Sequence, residues 1–140
     1  MKSTFGNKII IIPCSGIGKA LGSISREAAY GVVENLRKGV TETICLALLV
    51  SRDEESLRLV QGNKCIAVDG CPLECAKKNV KLAGGNLAAD FRVVDALKDH
   101  RKLKPKEVTF LDHDGEQLAM ILAEEIAKKV DDLLRRTEMN

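Results

Sequence analysis

Five cysteines are the residues of this 140-residue chain whose type and spacing could do chemistry. Cys71 and Cys75 lie four residues apart, and the other three are Cys14, Cys45 and Cys65. Thiolates bind metals such as zinc, and they are also the nucleophiles of redox and sulfur-transfer reactions. An odd number of cysteines fits metal or thiol chemistry better than a framework of disulfides. The cysteines are therefore the main indication of function.

The pattern of apolar residues predicts the elements that must position these cysteines. Four short apolar runs are typical of buried strands, and they cover residues 8–12, 41–49, 64–69 and 89–94. Apolar residues at helical spacing follow or separate these runs. The first helix is predicted to have Ser23 as its N-cap and to bury Ile24, Ala28, Val32 and Leu36. Later helices are predicted to begin at the capping box of residues 51–54, at Pro72 with Leu73 on its inner face, and at Asp114.

Strands that are apolar throughout and alternate with helices predict a parallel sheet covered on both faces. We expect a single domain over residues 1–140, a small three-layer αβα domain of the Rossmann-like or flavodoxin-like kind. Its sheet is expected to be mostly parallel, with about four strands. Ligands of such domains bind beyond the carboxyl ends of the strands.

This rule predicts where the cysteines lie. Cys14 and Cys71 directly follow the first and third predicted strands, and Cys75 lies one helical turn beyond Cys71. Cys45 joins them only if the second strand ends near residue 45 or 46. Cys65 alternates with apolar residues inside the third strand and is predicted to be a core thiol.

Three segments resemble motifs of the DGC-domain family, which is named for its Asp-Gly-Cys sequence. The most specific is residues 69–78 (Asp-Gly-Cys-Pro-Leu-Glu-Cys-Ala-Lys-Lys), and the others are residues 13–16 (Pro-Cys-Ser-Gly) and 43–47 (Thr-Ile-Cys-Leu-Ala). The resemblance implies a zinc-binding protein whose ligands are Cys14, Cys45, Cys71 and Cys75. Within the motif, Asp69 is expected either to hold a backbone N–H near the site or to end the strand. Gly70 is expected either to adopt a positive φ that brings N–H groups toward sulfur or to form an ordinary tight turn.

Two other functions use the same thiols. Cys14 or Cys71, activated at a helix N-terminus, could act as the nucleophile of a redox or sulfur-transfer protein, with Cys75 or Cys45 as the resolving thiol. The same four cysteines could instead hold an iron–sulfur cluster. Zinc enclosed by four thiolates leaves no open position for a substrate, which argues against hydrolytic zinc catalysis.

Composition narrows the choice of partners. The net charge is only +2 and aromatic residues make up 3% of the chain, so neither a basic face nor a base-stacking platform is expected, and no nucleic-acid partner is predicted. The apolar stretch at residues 9–13 is far shorter than the ~20 residues that span a bilayer, and a signal-peptide pattern is lacking. We therefore expect a cytoplasmic protein with a metal ion as its partner and no membrane partner.

Overall fold

Four parallel strands form one sheet in the computed structural model, which describes residues 8–14, 19–70 and 72–139, with side chains as far as residue 136. The strands are β1 (Ile9–Cys14), β2 (Thr41–Thr43), β3 (Lys64–Asp69) and β4 (Asn86–Arg92). Their order across the sheet is β2-β1-β3-β4, and all three neighbouring pairs are parallel. This is the order with which flavodoxin-like sheets begin, and its direction reverses between β1 and β3. The predicted α/β class and the parallel sheet are confirmed.

Helices cover both faces of the sheet and make three layers. They are α1 (Ala20–Gly31), which continues into a π-helical segment (Val32–Leu36), then α2 (Leu46–Val50), α3 (Glu54–Gly62), α4 (Cys75–Leu82), α5 (Val93–Asp99) and α6 (His113–Met139). Successive residues of a strand point to opposite faces. Ile9 and Ile11 of β1 accordingly pack with α1, α5 and α6, whereas Ile10 and Ile12 pack with α2, α3 and α4. None of the described helices is long and apolar enough to cross a bilayer.

The second predicted strand, residues 41–49, is wrong over most of its length. The strand ends at Thr43, and Leu46–Val50 forms α2 instead. Leucine and alanine favour helix, and a short apolar run carries no periodicity that separates strand from helix. Only Leu49 of α2 is buried, while Leu48 and Val50 are 45% and 57% exposed. The polypeptide therefore turns away from the sheet before it reaches Cys45.

The first predicted helix differs from the structure at both ends: it begins earlier, and its last predicted core residue is exposed. It begins at Ala20 after Lys19, so Ser23 is a buried helical residue whose hydroxyl donates to the carbonyl oxygen of Val108 at 2.6 Å. At the other end, Leu36 is exposed although Ile24, Ala28 and Val32 are buried as predicted. The π-helical segment explains the difference, because its wider turn breaks the four-residue spacing that defines one face of an α-helix.

Two later boundaries also differ from the prediction. Pro72 and Leu73 precede α4, which begins at Cys75, and the side chain of Leu73 is 62% exposed. The fourth strand runs from Asn86 to Arg92, and Val93 is already the first residue of α5. In contrast, β3 matches residues 64–69, and the predicted apolar stripe of the last helix is fully buried: Leu118, Leu122, Ile126 and Val130.

Gly70 is required for close packing and not for an unusual backbone angle. Among the described glycines, positive φ occurs at Gly39 and Gly84, so the expectation of a positive φ at Gly70 is wrong. A Cβ atom added to Gly70 would lie 2.8 Å from the backbone of both Gly22 and Leu21. These atoms belong to the first turn of α1, so the end of β3 and the start of α1 meet backbone to backbone.

We predict that Gly70→Ala destabilises the protein by about 1–3 kcal/mol, because backbone atoms of α1 cannot yield as a flexible side chain can. Gly31→Ala is the matched control, since its added Cβ would lie at an ordinary 3.4 Å from the Cβ of Ala123 and would raise helix propensity. Urea unfolding should show the control to be neutral or slightly stabilised. Equal stabilities for the two variants would contradict the close approach.

Candidate metal centre

Three cysteines line a single cavity of about 820 Å³ at the carboxyl end of β1. They are Cys14 at the end of β1, Cys45 just before α2 and Cys75 at the start of α4. Cys71 lies outside the described residues. The structure thus brings three of the four sequence-predicted ligands to one cavity, beside the point where the strand order reverses.

Cys14 is positioned by two neighbours of its backbone. It lies opposite Asp69 in the parallel register of β1 and β3. Its carbonyl oxygen accepts a hydrogen bond of 2.5 Å from the hydroxyl of Ser25, which is fully buried on α1. A buried polar group is stable when it is hydrogen-bonded, so this contact fixes the end of β1 against α1. The side chain of Cys14 is half-buried.

Cys75 is positioned by Asp69, the aspartate of the Asp-Gly-Cys segment. The carboxylate of Asp69 is 1% exposed and accepts hydrogen bonds from the backbone N–H groups of Ala76, at 2.7 Å, and Lys77, at 3.1 Å. Burial raises the pKa of the Asp69 carboxyl, and the two N–H donors oppose that rise. The expectation that Asp69 holds backbone N–H groups is confirmed. It ties the first turn of α4 to the end of β3.

Cys45 lies on the cavity because β2 is short. The strand ends at Thr43, and Cys45 is the residue immediately before α2, with an exposed side chain. The sequence condition for its participation, that the second strand end near residue 45, is therefore met. Its support is weaker than that of Cys14 and Cys75, because α2 has only one buried residue, Leu49.

The described residues do not by themselves form a compact metal site. Within the part of the chain that the structure describes, no three side chains of His, Cys, Asp and Glu are grouped so that they could hold a metal ion. Cys14, Cys45 and Cys75 therefore share a cavity without making a finished set of ligands. The chemistry of a three-thiol cavity suits zinc, but a full site depends on a further donor.

Sequence reasoning missed two cavity residues on α1. Arg26 and Tyr30 both line the cavity, and they are four residues apart, so they share one face of the helix. The sequence prediction for this helix contains only its apolar, buried residues, and neither Arg26 nor Tyr30 is among them. Their spacing was the available signal, but it gains meaning only when the carboxyl end of β1 is known to lie beside this helix.

Asp112 and Asp114, at the start of α6, hold the preceding loop through hydrogen bonds from its backbone. Asp112 accepts hydrogen bonds from the backbone N–H groups of Lys106, Glu107 and Gly115. These donors lower the pKa of Asp112. Asp114 similarly accepts from the N–H of Lys104 at 2.9 Å. The carboxylates therefore organise the loop that leads into α6.

The comparisons agree with the sequence motifs. The family model of the DGC domain matches residues 10–121, so the chain belongs to the DGC-domain family. No curated protein and no solved structure matches the chain.

Cys65 is separate from the other described cysteines. It lies inside β3, is fully buried and belongs to the core on the face covered by α3 and α4. Its thiol donates to the carbonyl oxygen of Val60 at 3.4 Å. Burial raises the pKa of Cys65 to about 12. The prediction of a core thiol is confirmed.

The pKa of Cys65 predicts a loss of stability at high pH. An unfolded thiol ionises near pH 8.5 whereas the folded one does not, so the folded state holds one more proton and the free energy of unfolding falls as the pH rises from about 8.5 toward 12. Cys65→Ala removes this dependence. Between pH 8 and pH 10 the stability gap between wild type and variant should narrow by about 1–2 kcal/mol.

Urea unfolding of both proteins, reduced and with a chelator present, measures this gap. The variant loses packing at every pH, so the change in the gap with pH, and not its size, is the result to be read. A gap that stays constant would show that Cys65 ionises as readily in the folded state as in the unfolded one.

Proposed function

We propose that this DGC-domain protein binds a zinc ion through the thiolates of Cys14, Cys45, Cys71 and Cys75. The observation that carries the proposal is the division of the described cysteines. Three of them line one cavity, while Cys65 is sealed in the core on its own. Zinc takes thiolate ligands in a tetrahedral arrangement at about 2.3 Å. Four cysteines drawn from three separate connections of the chain would satisfy that preference.

The proposal depends on Cys71, because the described residues lack a group of three ligands that could hold a metal ion. Its neighbours on both sides are held firmly. Asp69 is fixed by two backbone N–H donors, and Gly70 packs against the backbone of α1. On the other side, Cys75 begins a helix anchored by the same aspartate. A rigid frame of this kind favours a metal site, whose ligands must be held in place by their surroundings.

Asp69 also bears on the alternative of a reactive thiol. A nucleophilic cysteine at a helix N-terminus gains from the N–H groups and the positive end of the helix dipole. In α4 the N–H groups of Ala76 and Lys77 already donate to the Asp69 carboxylate. These two donors are therefore already engaged by the carboxylate, whereas a bound zinc ion would bring its own positive charge to the Cys75 sulfur. This arrangement favours metal binding over a redox or sulfur-transfer role for Cys75.

Elemental analysis tests the proposal directly. Protein purified anaerobically without added metal should contain about one zinc per chain and show no visible absorbance. Serine substitutions of Cys14, Cys45, Cys71 and Cys75, made one at a time, should each lower the zinc content. Cys65→Ala is the control and should keep it. Chelation should also lower the melting temperature if the zinc contributes to folding, because such binding energy is folding energy.

Two results would contradict zinc binding and favour another function. Iron accompanied by colour would identify a cluster protein with the same cysteines. A metal-free protein with titratable thiols would favour redox or sulfur transfer, with Cys14 and Cys71 as the residues to trap. Zinc lost in Cys65→Ala would show that the set of ligands is wrong.

A second prediction separates the role of Asp69 from an ordinary helix cap. Asp69→Ala leaves the buried N–H of Ala76 and the partly buried N–H of Lys77 without an acceptor, so stability should fall by about 1–3 kcal/mol. Because Cys75 then loses its anchor, zinc affinity should fall about 10–100-fold. Asp53→Ala is the matched control, since Asp53 accepts from the N–H of Ser56 at the start of α3.

Competition with a chromophoric chelator measures the zinc affinity of both variants. The Asp53 variant should lose helix-cap stability and keep its zinc affinity. Equal affinities for the two variants would show that Asp69 serves the fold alone.

A further inference from the structure

Arg26 is a half-buried cation without an acidic partner in the described part of the chain. Two other described arginines are similarly half-buried, and each forms a paired contact with an aspartate. Arg37 donates to both oxygens of Asp131 at 2.7 Å, and Arg92 donates to Asp95 at 3.0 and 3.1 Å. The guanidinium of Arg26, in contrast, has no hydrogen bond or ion pair with any described residue, and it lines the cavity of the three cysteines.

A guanidinium that is partly removed from water gains from an anionic partner. Its planar fork of donors fits a carboxylate with two parallel hydrogen bonds, as the Arg37–Asp131 pair shows in this protein. The protein supplies such a carboxylate to Arg37 and Arg92 but not to Arg26. Arg26 borders two cavities, of which the other contains Glu27 and Glu116, whereas the described lining of the cysteine cavity contains no acidic residue. An anionic partner for Arg26 in the cysteine cavity must therefore come from a ligand.

The cavity is much larger than a metal ion requires. Its volume of about 820 Å³ lies within the range of small-molecule sites, which hold about 300–1,000 Å³. Its wall includes the apolar side chains of Ile44, Leu46 and Val50. Small-molecule sites have this composition, with mainly apolar walls and a few polar groups that orient the ligand.

We propose that this cavity binds a small organic acid, whose carboxylate pairs with Arg26 and whose apolar body lies against α2. Tyr30 lines the same cavity one helical turn beyond Arg26 and carries a hydroxyl that can donate to the acid. The site uses residues outside the set of cysteines, so it does not rest on the binding of a metal.

Tyr30 makes the proposal measurable. It is the only tyrosine of the chain, and tryptophan is absent, so the intrinsic fluorescence reports on this cavity. Hexanoate is the probe and hexanamide its uncharged match of similar size. Titrations use the reduced 140-residue protein after a chelator has removed any metal and has itself been removed, so that a failure of zinc binding and a failure of acid binding are distinguished. The zinc-loaded protein is titrated in parallel.

Hexanoate should change the tyrosine fluorescence of the wild type along a saturating binding curve. Hexanamide should bind at least about tenfold more weakly. Arg26→Gln should lower the affinity for hexanoate about tenfold and leave the affinity for hexanamide unchanged. Arg26→Lys keeps the positive charge but not the planar pair of donors, so its affinity for hexanoate should lie between those of the wild type and Arg26→Gln. Arg37→Gln is the matched control, because Arg37 pairs with Asp131 and does not line the cavity, and it should bind hexanoate like the wild type. Urea unfolding verifies that each variant is folded.

Three results would overturn the proposal. They are hexanoate binding without saturation, hexanoate binding unchanged in Arg26→Gln, and equal affinity of the wild type for hexanoate and inorganic phosphate. The last would identify a general anion site in place of one for an organic acid.

Discussion

The buried carboxylate of Asp69 is the constraint on which the arrangement of the cysteines depends. Removing a carboxylate from water is costly unless its oxygens accept hydrogen bonds, and here the N–H groups of Ala76 and Lys77 supply them. The same contacts provide acceptors for a helix start that would otherwise leave its N–H groups open. Each partner therefore needs the other. Because the backbone of Asp69 also lies opposite Cys14 in the register of β1 and β3, one residue connects the position of Cys14 with that of Cys75.

The two sides of the cavity differ in how firmly they are held. On the strand side, Gly70 meets the backbone of α1, and the hydroxyl of Ser25 bonds to the carbonyl oxygen of Cys14. On the other side, Cys45 precedes a helix of five residues that buries little apart from Leu49. Backbone contacts and buried hydrogen bonds resist displacement, whereas a short helix with exposed apolar residues is weakly anchored. The rigid cysteines thus lie where the sheet order reverses, and Cys45 lies on the wall that can adjust.

A structural feature can be predicted from the sequence when the residues that determine it are close together along the chain. The strand Lys64–Asp69 was predictable because its apolar residues are bounded by polar Asn63 and by Gly70, which are local signals. Helix α2 was not, since its apolar run is too short to show a period. The need for glycine at residue 70 arises from Gly22, which is distant in the sequence, and only the folded chain brings the two together. The prediction of four cysteine ligands came from family motifs together with the positions of Cys14, Cys71 and Cys75 after predicted strands, and three of the four line a common cavity.

Charge links the two proposed occupants of the cavity. A zinc ion together with four thiolate ligands has a net charge of about −2. Such a complex and an organic acid would therefore both be anions. Lys77, which the motif places near the site, already pairs with Glu74 at 3.6 Å and Asp90 at 3.5 Å. Arg26 is therefore the described cavity cation that has no carboxylate to neutralise it. If both ligands draw on that one charge, each must weaken the binding of the other, because coupling between two sites is reciprocal. The zinc-loaded and zinc-free forms would then differ in their affinity for the acid, and Arg26 would couple the acid site to the site of the cysteines.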